Sequence, residues 1–400
     1  MKHAYPFTPR AQAAPVRIWG KDLEPESLQQ IADAAELPIS VRGALMPDAH
    51  LGYGLPIGGV LATENAVIPY AVGVDIACRM KMTVLDLPVE TLKDEVGRKR
   101  LRDALERETQ FGVGAKFKRR HLHDVMDRDW SVSPITHQNK DRAWGQLGTS
   151  GSGNHFVEFG ELIIQDARAG LAPGKYLALL SHSGSRGTGA AVCDHYSKLA
   201  KSQHPDIPER LRFLSWLGLD THEGQEYWAA MELMGHYAAA NHACIHRAMA
   251  GNLGAEVLLD LENPHNFAWK EVHEGREVVV HRKGATPAHA GVLGIIPGTM
   301  ASPAYIVMGK GQPESLCSAS HGAGRVMSRT KARKSLNWAD ARQLLTERGV
   351  HLISAGLDEV PFVYKDIDEV MAEQQDLVET FAAFHPRIVK MAPAGERPED

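Results

Sequence analysis

One histidine, His321, stands among small residues and is followed by a run of basic side chains. The stretch is "CSASHGAGRVMSRTKARK", residues 317–334. A histidine that serves only the core needs hydrogen-bond partners, and neighbouring glycines offer none from a side chain. The pattern therefore indicates that His321 has a chemical role.

Glycine beside polar side chains recurs in five stretches of the chain. Glycine lets a ligand approach the backbone closely, and successive free N–H groups form anion-binding nests. One such stretch would be weak evidence, but five in one chain favour a site that handles phosphate. The stretches are "MPDAHLGYGLPIGG" (46–59), "GVDIACRM" (73–80), "GTSGSGNHFVE" (148–158), "SHSGSRGTG" (181–189) and "SHGAGRVMSR" (320–329), with "ENPHNF" (262–267) and "IIPGTM" (295–300) beside them.

Metal-capable side chains occur in these same stretches. Asp75 and Cys78 would face opposite sides of a regular strand, so their convergence on a metal requires a turn or bulge after Gly73. Three histidines flanked by glycine or asparagine complete a candidate metal centre: His155, His182 and His265. Thiolate and imidazole ligands favour zinc, whereas carboxylate and phosphate oxygens favour manganese or magnesium. The residues alone leave the metal open.

Two common catalytic motifs do not occur in the sequence. The stretch "HEGQE" at 222–226 has Glu226 where a zinc-protease helix needs its second histidine. No GxxxxGK[ST] stretch occurs, so metal and backbone would have to hold any nucleotide phosphates. Three histidines of the following helix are interpreted as structural or solvent-facing: His236, His242 and His246.

The elements that must position these residues follow from periodicity and from turn-forming residues. A helix capped by Thr221 is predicted over 221–250, and a second, capped by Asn337, over 338–348. Residues 60–87 are predicted to form buried strands joined by tight turns. Further strands are predicted at 154–159, 176–181, 277–281, 292–296 and 304–308. Strands and helices do not alternate, so the pattern favours an α+β fold with mixed sheets.

Composition is that of a soluble globular protein, with 44% hydrophobic and 23% charged residues. The sequence contains no apolar run long enough to span a bilayer, and residues 1–10 lack the apolar core of a secretion signal. A cytoplasmic protein without a membrane partner is therefore expected. Four scattered cysteines are interpreted as core residues or ligands. The motifs run from 46 to 325 without a linker, which predicts one domain over 1–390 and a disordered tail over 391–400.

Taken together, these motifs resemble the signature blocks of the RtcB family of RNA ligases. The similarity extends from about Met46 to Lys390 and includes "RKGATPA" and "YKDIDEV". It implies a single large catalytic domain with a metal-lined cleft. The implied activity joins RNA ends that carry a 3′-phosphate or 2′,3′-cyclic phosphate to 5′-hydroxyl ends, with GTP and two Mn²⁺ ions, in tRNA splicing or RNA repair.

The resemblance also implies roles for individual residues. Asp75, Cys78 and His155 would bind one Mn²⁺, and Cys78, His182 and His265 the other. His321 matches the histidine that attacks the α-phosphate of GTP and carries GMP as a phosphoramidate. The implied nucleotide contacts are Asn154, His155, Phe156, Val157, Glu158, His265, Asn266, Pro297, Gly298, Thr299, Met300, Ala304, His321, Gly322, Ala323, Gly324 and Lys390.

Two other classes of protein stay open at this point. A metal-dependent RNA end-processing phosphoesterase with little ligation would keep the metal ligands and dispense with His321. A non-catalytic RNA-repair subunit would be expected to lose ligands, and this chain keeps all five. A monomer is expected, and the need for an activating protein partner is left open. Despite a net charge of −5, basic clusters at 116–120 and 328–334 are predicted to contact the RNA backbone.

Overall fold

The computed structural model describes residues 7–167 and 170–396. Within these ranges the helices are α1 (Pro25–Ala35), α2 (Pro69–Val72), α3 (Glu95–Glu108), α4 (Pro134–Gln146), α5 (Arg186–Gln203), α6 (His222–Leu253), α7 (Arg329–Ser335), α8 (Trp338–Glu347) and α9 (Ile367–Ala372). The strands are β1 (Val16–Ile18), β2 (Ser40–His50), β3 (Ile57–Thr63), β4 (Ala66–Val67), β5 (Arg79–Leu85), β6 (Phe156–Ile164), β7 (Gly174–Ser183), β8 (Leu217–Gly218), β9 (Val257–Pro264), β10 (Asn266–His273), β11 (Arg276–Lys283), β12 (Ala285–Pro287), β13 (Leu293–Ile296), β14 (Ala304–Gly309), β15 (Ser318–Ser320), β16 (His351–Ser354) and β17 (Val378–Met391).

The largest sheet has the strand order β13-β14-β17-β6-β7-β5-β9, with β16 added in parallel to β17. It curves back on itself, because Asn263 of β9 donates to the carbonyl of Ile295 and accepts from its N–H, which brings the two edge strands together. Apolar side chains from all seven strands fill its concave face. The open end of this curved sheet is where the candidate site lies.

A second sheet has the order β1-β2-β3-β11-β10, and short two-stranded pairs join β12 with β15 and β4 with β8. This mixture of sheets with separate helices confirms the predicted α+β class. The predicted strands at 154–159, 176–181, 277–281, 292–296 and 304–308 correspond to β6, β7, β11, β13 and β14. In 60–87 the strands are confirmed, with the short helix α2 beginning at Pro69 between them.

Helix α6 is the longest helix and supports the large sheet from its convex side. The Thr221 side chain accepts from the N–H of Gly224 at its start, and Gly254 ends it with a φ of 56°. Its buried face includes Tyr227, Met231 and Met234. The Asn337 cap of α8 is also confirmed, since its side chain accepts from the N–H of Asp340.

The C-terminal boundary lies slightly later than predicted. Met391, assigned to the tail, is the last residue of β17, and both it and Ala392 are buried. Residues 397–400 of that tail lie outside the described residues. No helix in the described part of the chain is long and apolar enough to cross a membrane.

Candidate active site and metal centre

Antiparallel pairing in the large sheet gathers four candidate ligands at one edge. The start of β5 pairs with the ends of β7 and β9, since Arg79 is opposite both Ser183 and Pro264. The start of β6 pairs with the end of β7, since Phe156 is opposite His182. Residues just before β5 and β6, at the end of β7 and just after β9 therefore meet: Cys78, His155, His182 and His265.

The fifth residue, Asp75, lies in the turn between α2 and β5. The N–H of Cys78 donates to the carbonyl of Asp75 at 3.2 Å. Gly73 has a φ of 108° and Ala77 a φ of 59°, so the chain doubles back before β5 begins. This is the turn that the sequence required for Asp75 and Cys78 to converge.

Two groups of three residues can be drawn from this set, and they share Cys78. In Asp75, Cys78 and His155, the Oδ2 atom of Asp75 lies 3.1 Å from Nε2 of His155, which is 3.5 Å from the Cys78 sulfur. In Cys78, His182 and His265, Nε2 of His182 lies 3.1 Å from the sulfur and 3.2 Å from Nε2 of His265.

Neighbouring groups orient two of these ligands. The Nδ1 atom of His182 lies 3.1 Å from the carbonyl of Asn154, to which it donates, so Nε2 presents its lone pair to the cysteine and His265. Burial and the charge of His155 lower the pKa of His182 to about 3, so its imidazole is neutral near pH 7. The N–H of Ser185 donates to Oδ1 of Asp75 at 2.9 Å.

The donor set fits a metal centre. The buried Oδ2 of Asp75 has no donor in bonding geometry among the described residues, and the Nε2 atoms of His155 and His182 both face the Cys78 thiol. Lone pairs aimed at one another are costly in a buried site unless a proton or cation lies between them. Thiolate, imidazole and carboxylate together suit a divalent transition metal.

His321 lies beside the second ligand group, just after β15. Its ring centroid is 5.0 Å from that of His265. Its Nδ1 donates to Oδ2 of Asp48 at 2.6 Å, and the same oxygen accepts the backbone N–H groups of His321 and Gly322 at 3.0 and 3.2 Å. Because Nδ1 is committed to Asp48, Nε2 is the ring nitrogen available to a ligand in the cleft.

Asp48, in β2, is the functional residue that the sequence reasoning missed. It is fully buried, and although burial raises the pKa of a carboxyl, the charge and hydrogen bond of His321 lower that of Asp48 below its ordinary value. Lys365 holds this part of β2 by donating to the carbonyls of Pro47 and Ala49. The available signal was its position inside the glycine-rich stretch 46–59.

Replacing Asp48 with asparagine should lower the rate of any reaction that uses His321 as a nucleophile by about 10²- to 10⁴-fold. Asparagine keeps the size of the side chain and can still accept backbone N–H groups, but it cannot stabilise positive charge that develops on the imidazole. The effect is measured as the single-turnover rate at which GTP, the nucleotide implied by the resemblance, labels His321 covalently. Asp94→Asn, at the cap of α3, is the matched control, and an unchanged rate in Asp48→Asn would contradict the orienting role.

A cleft of about 580 Å³ opens over the metal-capable groups and His321. Of the residues with implied nucleotide contacts, it is lined by Asn154, His155, Phe156, Glu158, His265, Asn266, Pro297, Gly298, Thr299, Met300, Ala304, His321, Gly322, Ala323 and Gly324. The structure therefore brings together nearly the whole set implied by the resemblance.

Val157 and Lys390 are the two exceptions, and the structure corrects their placement. They are directly opposite one another on β6 and β17, and both face the convex side of the sheet. Val157 is buried in the core there. The ammonium of Lys390 donates to carbonyls at the end of α3, including that of Leu105 at 3.1 Å. Neither side chain reaches the cleft.

Glu158 lies on the cleft side of β6 and is 4% exposed. No donor within the described ranges bonds to its carboxyl group, and burial raises its pKa well above the ordinary value. A buried carboxyl group without a protein partner costs stability unless a ligand supplies the hydrogen bonds.

The basic run 328–334 is only partly available for binding. Arg333 pairs with Asp358 at 2.8 Å, and Arg329 pairs with both Asp358 and Glu359. These arginines of α7 therefore hold the segment around 358, and contact between the run and RNA stays a prediction. Lys331 and Lys334 stay exposed. In the other cluster Arg120 pairs with Asp141 at 2.8 Å.

Helix α6 supports the ligand loops from behind. Asn241 accepts the N–H of Gly148 at 2.7 Å and donates to the carbonyl of Thr149 at 2.9 Å. His242 donates to the carbonyl of Ser183, next to His182, at 3.0 Å. His246 and His242 both bond to the hydroxyl of Ser181 at 2.7 Å. These contacts confirm the structural interpretation of His242 and His246, and His236 is exposed as that interpretation allowed.

Comparison with known proteins adds independent information. A family model described as tRNA-splicing ligase RtcB matches residues 30–391. The chain is 35% identical to an RNA-splicing ligase RtcB1 and 34% identical to an RNA-splicing ligase RtcB, both from Escherichia coli; each match covers 92% of this chain and 94% of the relative. It is 32% identical to the tRNA-splicing ligase RtcB of Nanoarchaeum equitans, over 91% of this chain and 92% of that protein.

Proposed function

The chain belongs to the RtcB family of RNA ligases, and from that membership we propose that it joins an RNA 3′-phosphate or 2′,3′-cyclic phosphate end to a 5′-hydroxyl end, using GTP and Mn²⁺. The observation that carries this proposal is the placement of His321. Its imidazole is held by a buried carboxylate within the cleft and lies next to a metal-capable group.

In the proposed first step His321 reacts with GTP. Its Nε2 lone pair forms a bond to the α-phosphorus, the bond from that phosphorus to the bridging oxygen breaks, and pyrophosphate leaves. Asp48 stabilises the positive charge that the ring acquires, because its carboxylate accepts the Nδ1 proton at 2.6 Å. The backbone N–H groups of His321 and Gly322 fix the carboxylate in turn.

A 2′,3′-cyclic phosphate end would first be opened by water, which breaks the bond to the 2′-oxygen and leaves a 3′-phosphate. GMP then passes from His321 to the RNA 3′-phosphate, which breaks the P–N bond and forms a phosphoanhydride. The 5′-hydroxyl of the second RNA end attacks that activated phosphate, loses its proton and displaces GMP. Gly322 and Gly324 leave the cleft wall beside His321 free of side chains for these groups. Arg325 also lines the cleft, where its guanidinium pairs with Glu359 at 3.4 Å and donates to the carbonyl of Asp358 at 2.9 Å.

Asp75, Cys78, His155, His182 and His265 are proposed to hold two metal ions with the cysteine shared. When bound, such ions polarise phosphoryl oxygens and neutralise the charge of the leaving phosphate. The assignment of manganese rests on the resemblance to the family, because the donor set alone also suits zinc. Equilibrium dialysis against Mn²⁺ and Zn²⁺ would measure how many ions of each the protein holds.

Glu158 is proposed to select guanine. Guanine presents two adjacent donors, N1–H and the N2 amino group, to a carboxyl group, whereas adenine presents neither in that arrangement. Glu158 is buried in the cleft without a bonded donor among the described residues, so guanine would supply the missing partners.

The two guanine N–H groups would stabilise the carboxylate form of Glu158 when the nucleotide is bound. Glu158→Gln should therefore raise the GTP concentration needed for half-maximal labelling of His321 by about 10- to 150-fold, the range for a hydrogen bond to a charged group. The amide replaces one acceptor with a donor, which then opposes the guanine N–H groups. Glu161→Gln is the matched control, since Glu161 is on the same strand but pairs with Lys175 at 3.0 Å, away from the cleft. Equal GTP requirements in the two variants would contradict the assignment.

The proposed function is tested by incubating the protein with α-labelled GTP, Mn²⁺ and an RNA pair bearing 3′-phosphate and 5′-hydroxyl ends. A ligase traps label covalently and yields the joined RNA. An end-processing phosphoesterase would change the RNA ends without trapping label, and a non-catalytic subunit would do neither. Either of the last two results would refute the proposal.

A further inference from the structure

An aromatic cluster lies where the loop between β2 and β3 meets the chain just before β8. It consists of Tyr53, Tyr70 and Phe213, and we call it the rim cluster. The rings of Tyr53 and Phe213 are 5.5 Å apart, and those of Tyr70 and Phe213 meet edge to face at 4.9 Å. The ammonium of Lys201 lies 4.0 Å from the centre of the Phe213 ring. The cluster thus combines a fixed aromatic surface with a positive charge.

The rim cluster is continuous with the cleft over His321. Tyr53 and Leu51, two positions before it, line that cleft. The Lys283 ammonium donates to the carbonyls of Tyr53 and Leu55 at 2.6 and 3.0 Å, which fixes the loop. Gly284, the next residue, closely approaches His321: a Cβ atom built there would lie 3.1 Å from Cε1 of the histidine. Lys283 and Gly284 therefore connect the loop that carries Tyr53 with His321, the proposed nucleophile.

The loop between β2 and β3 exposes two large side chains that the rest of the described protein does not cover. Tyr53 is 61% exposed and Leu51 is 56% exposed, although both belong to a loop that is anchored on a buried lysine. The Tyr53 hydroxyl has no hydrogen bond within the part of the chain that the structure describes. Yet Phe213 fixes the ring from one side, so Tyr53 presents a held aromatic face at the cleft mouth. Such a face suits a planar ligand.

We propose that Tyr53 is a stacking platform for a nucleobase of the single-stranded RNA end that enters the cleft, with Lys201 close to the RNA backbone. This rests on the proposed function, because the ligand is the RNA that the cleft would join. Bases stack on aromatic side chains irrespective of sequence, and a nearby cation attracts the phosphate that follows each base. The guanine of GTP is the less favoured occupant, because Glu158 already offers it hydrogen-bond acceptors deeper in the cleft.

The first test measures binding of a short single-stranded RNA with a 3′-phosphate, by fluorescence anisotropy at one fixed salt concentration. Tyr53→Ala should weaken binding by about 5- to 150-fold, the range for one stacked base, whereas Tyr53→Phe should bind like the unaltered protein. Val272→Ala is the control, because Val272 is 70% exposed on β10 and does not line the cleft. Equal binding by Tyr53→Ala and Val272→Ala would overturn the proposal.

The second test locates the base. RNAs that lack one base at successive positions from the end are bound to the unaltered protein and to Tyr53→Ala. At the stacked position, removing the base should weaken binding to the unaltered protein and have no further effect in Tyr53→Ala, because the two changes remove the same interaction. Additive losses at every position would exclude stacking on Tyr53.

Covalent labelling by GTP separates this proposal from the proposed function. Tyr53→Ala should form the GMP adduct at the same GTP concentration as the unaltered protein, since its ring contacts RNA only. If the GTP requirement rises instead, Tyr53 serves the nucleotide and the RNA platform is wrong. If the unaltered protein forms no adduct, the proposed function fails, while the RNA-binding comparison still decides the role of Tyr53.

Discussion

Replacing His321 with alanine should abolish both the protein–GMP adduct and the joining of unactivated RNA ends. The side chain is largely enclosed but is followed by glycine and alanine, so its removal loses little packing beyond the ring contact with His265 and the bond to Asp48. No other residue can take over the nucleophilic step, because Asp48 orients this one imidazole. Intact-mass spectrometry after incubation with GTP and Mn²⁺ should show the adduct on the unaltered protein, mapped to the peptide around 321, and none on the variant.

The same variant should still join an RNA whose 3′-phosphate already carries GMP, since the task of the histidine is complete in that substrate. This result would show that the variant is folded and that metal and RNA sites are intact. His351→Ala, an exposed histidine on β16, is the matched control and should behave like the unaltered protein. An adduct on another residue, or ligation of unactivated ends by His321→Ala, would remove the mechanism.

Cys78→Ala should eliminate metal-dependent activity altogether. The thiol belongs to both groups of metal-capable residues, so one substitution removes a ligand from each proposed ion. Cys78→Ser should retain at most a trace, because a hydroxyl is a much poorer ligand than a thiolate. Equilibrium dialysis should show that Mn²⁺ binding is lost together with ligation, and the thermal stabilisation that bound metal gives the unaltered protein should disappear.

Cys317→Ala controls for loss of a thiol as such, since Cys317 lies outside both metal-capable groups. It should bind metal and ligate RNA like the unaltered protein. Full ligation by Cys78→Ala would show that the shared-ligand assignment is wrong. Loss of activity in Cys78→Ala with metal binding retained would show the same.

The candidate ligands could be proposed from sequence because their signals are local. Asp75 and Cys78 lie in one short stretch, and the turn that joins them was required by their spacing and is present. Glycine or asparagine flanks the three candidate histidines His155, His182 and His265. These flanking residues indicate backbone that a ligand can approach closely. That the candidate ligands meet at one edge depends on strand pairing between positions as distant as Arg79 and Pro264, and the spacing of the motifs gives no information about that pairing.

Other features depend on tertiary structure and could not be predicted from local patterns. Asp48 and His321 are 273 positions apart, so the sequence around either residue gives no signal that the two form a hydrogen bond. The resemblance implies that Lys390 contacts the nucleotide, but the alternation of side chains along β17 places it opposite Val157 on the convex face of the sheet. The local sequence gives no signal that the arginines of α7 form ion pairs, because their acidic partners, Asp358 and Glu359, lie 25 to 30 positions further along the chain.

The position of β17 has a consequence for how the protein is made. This last strand lies inside the large sheet, pairing with β14 on one side and β6 on the other. During synthesis the connecting strand therefore leaves the ribosome after both of its neighbours. Until then the nascent chain exposes two unpaired strand edges, which are prone to aggregation. A chain truncated just before β17 should consequently contain every candidate metal ligand and still fail to fold.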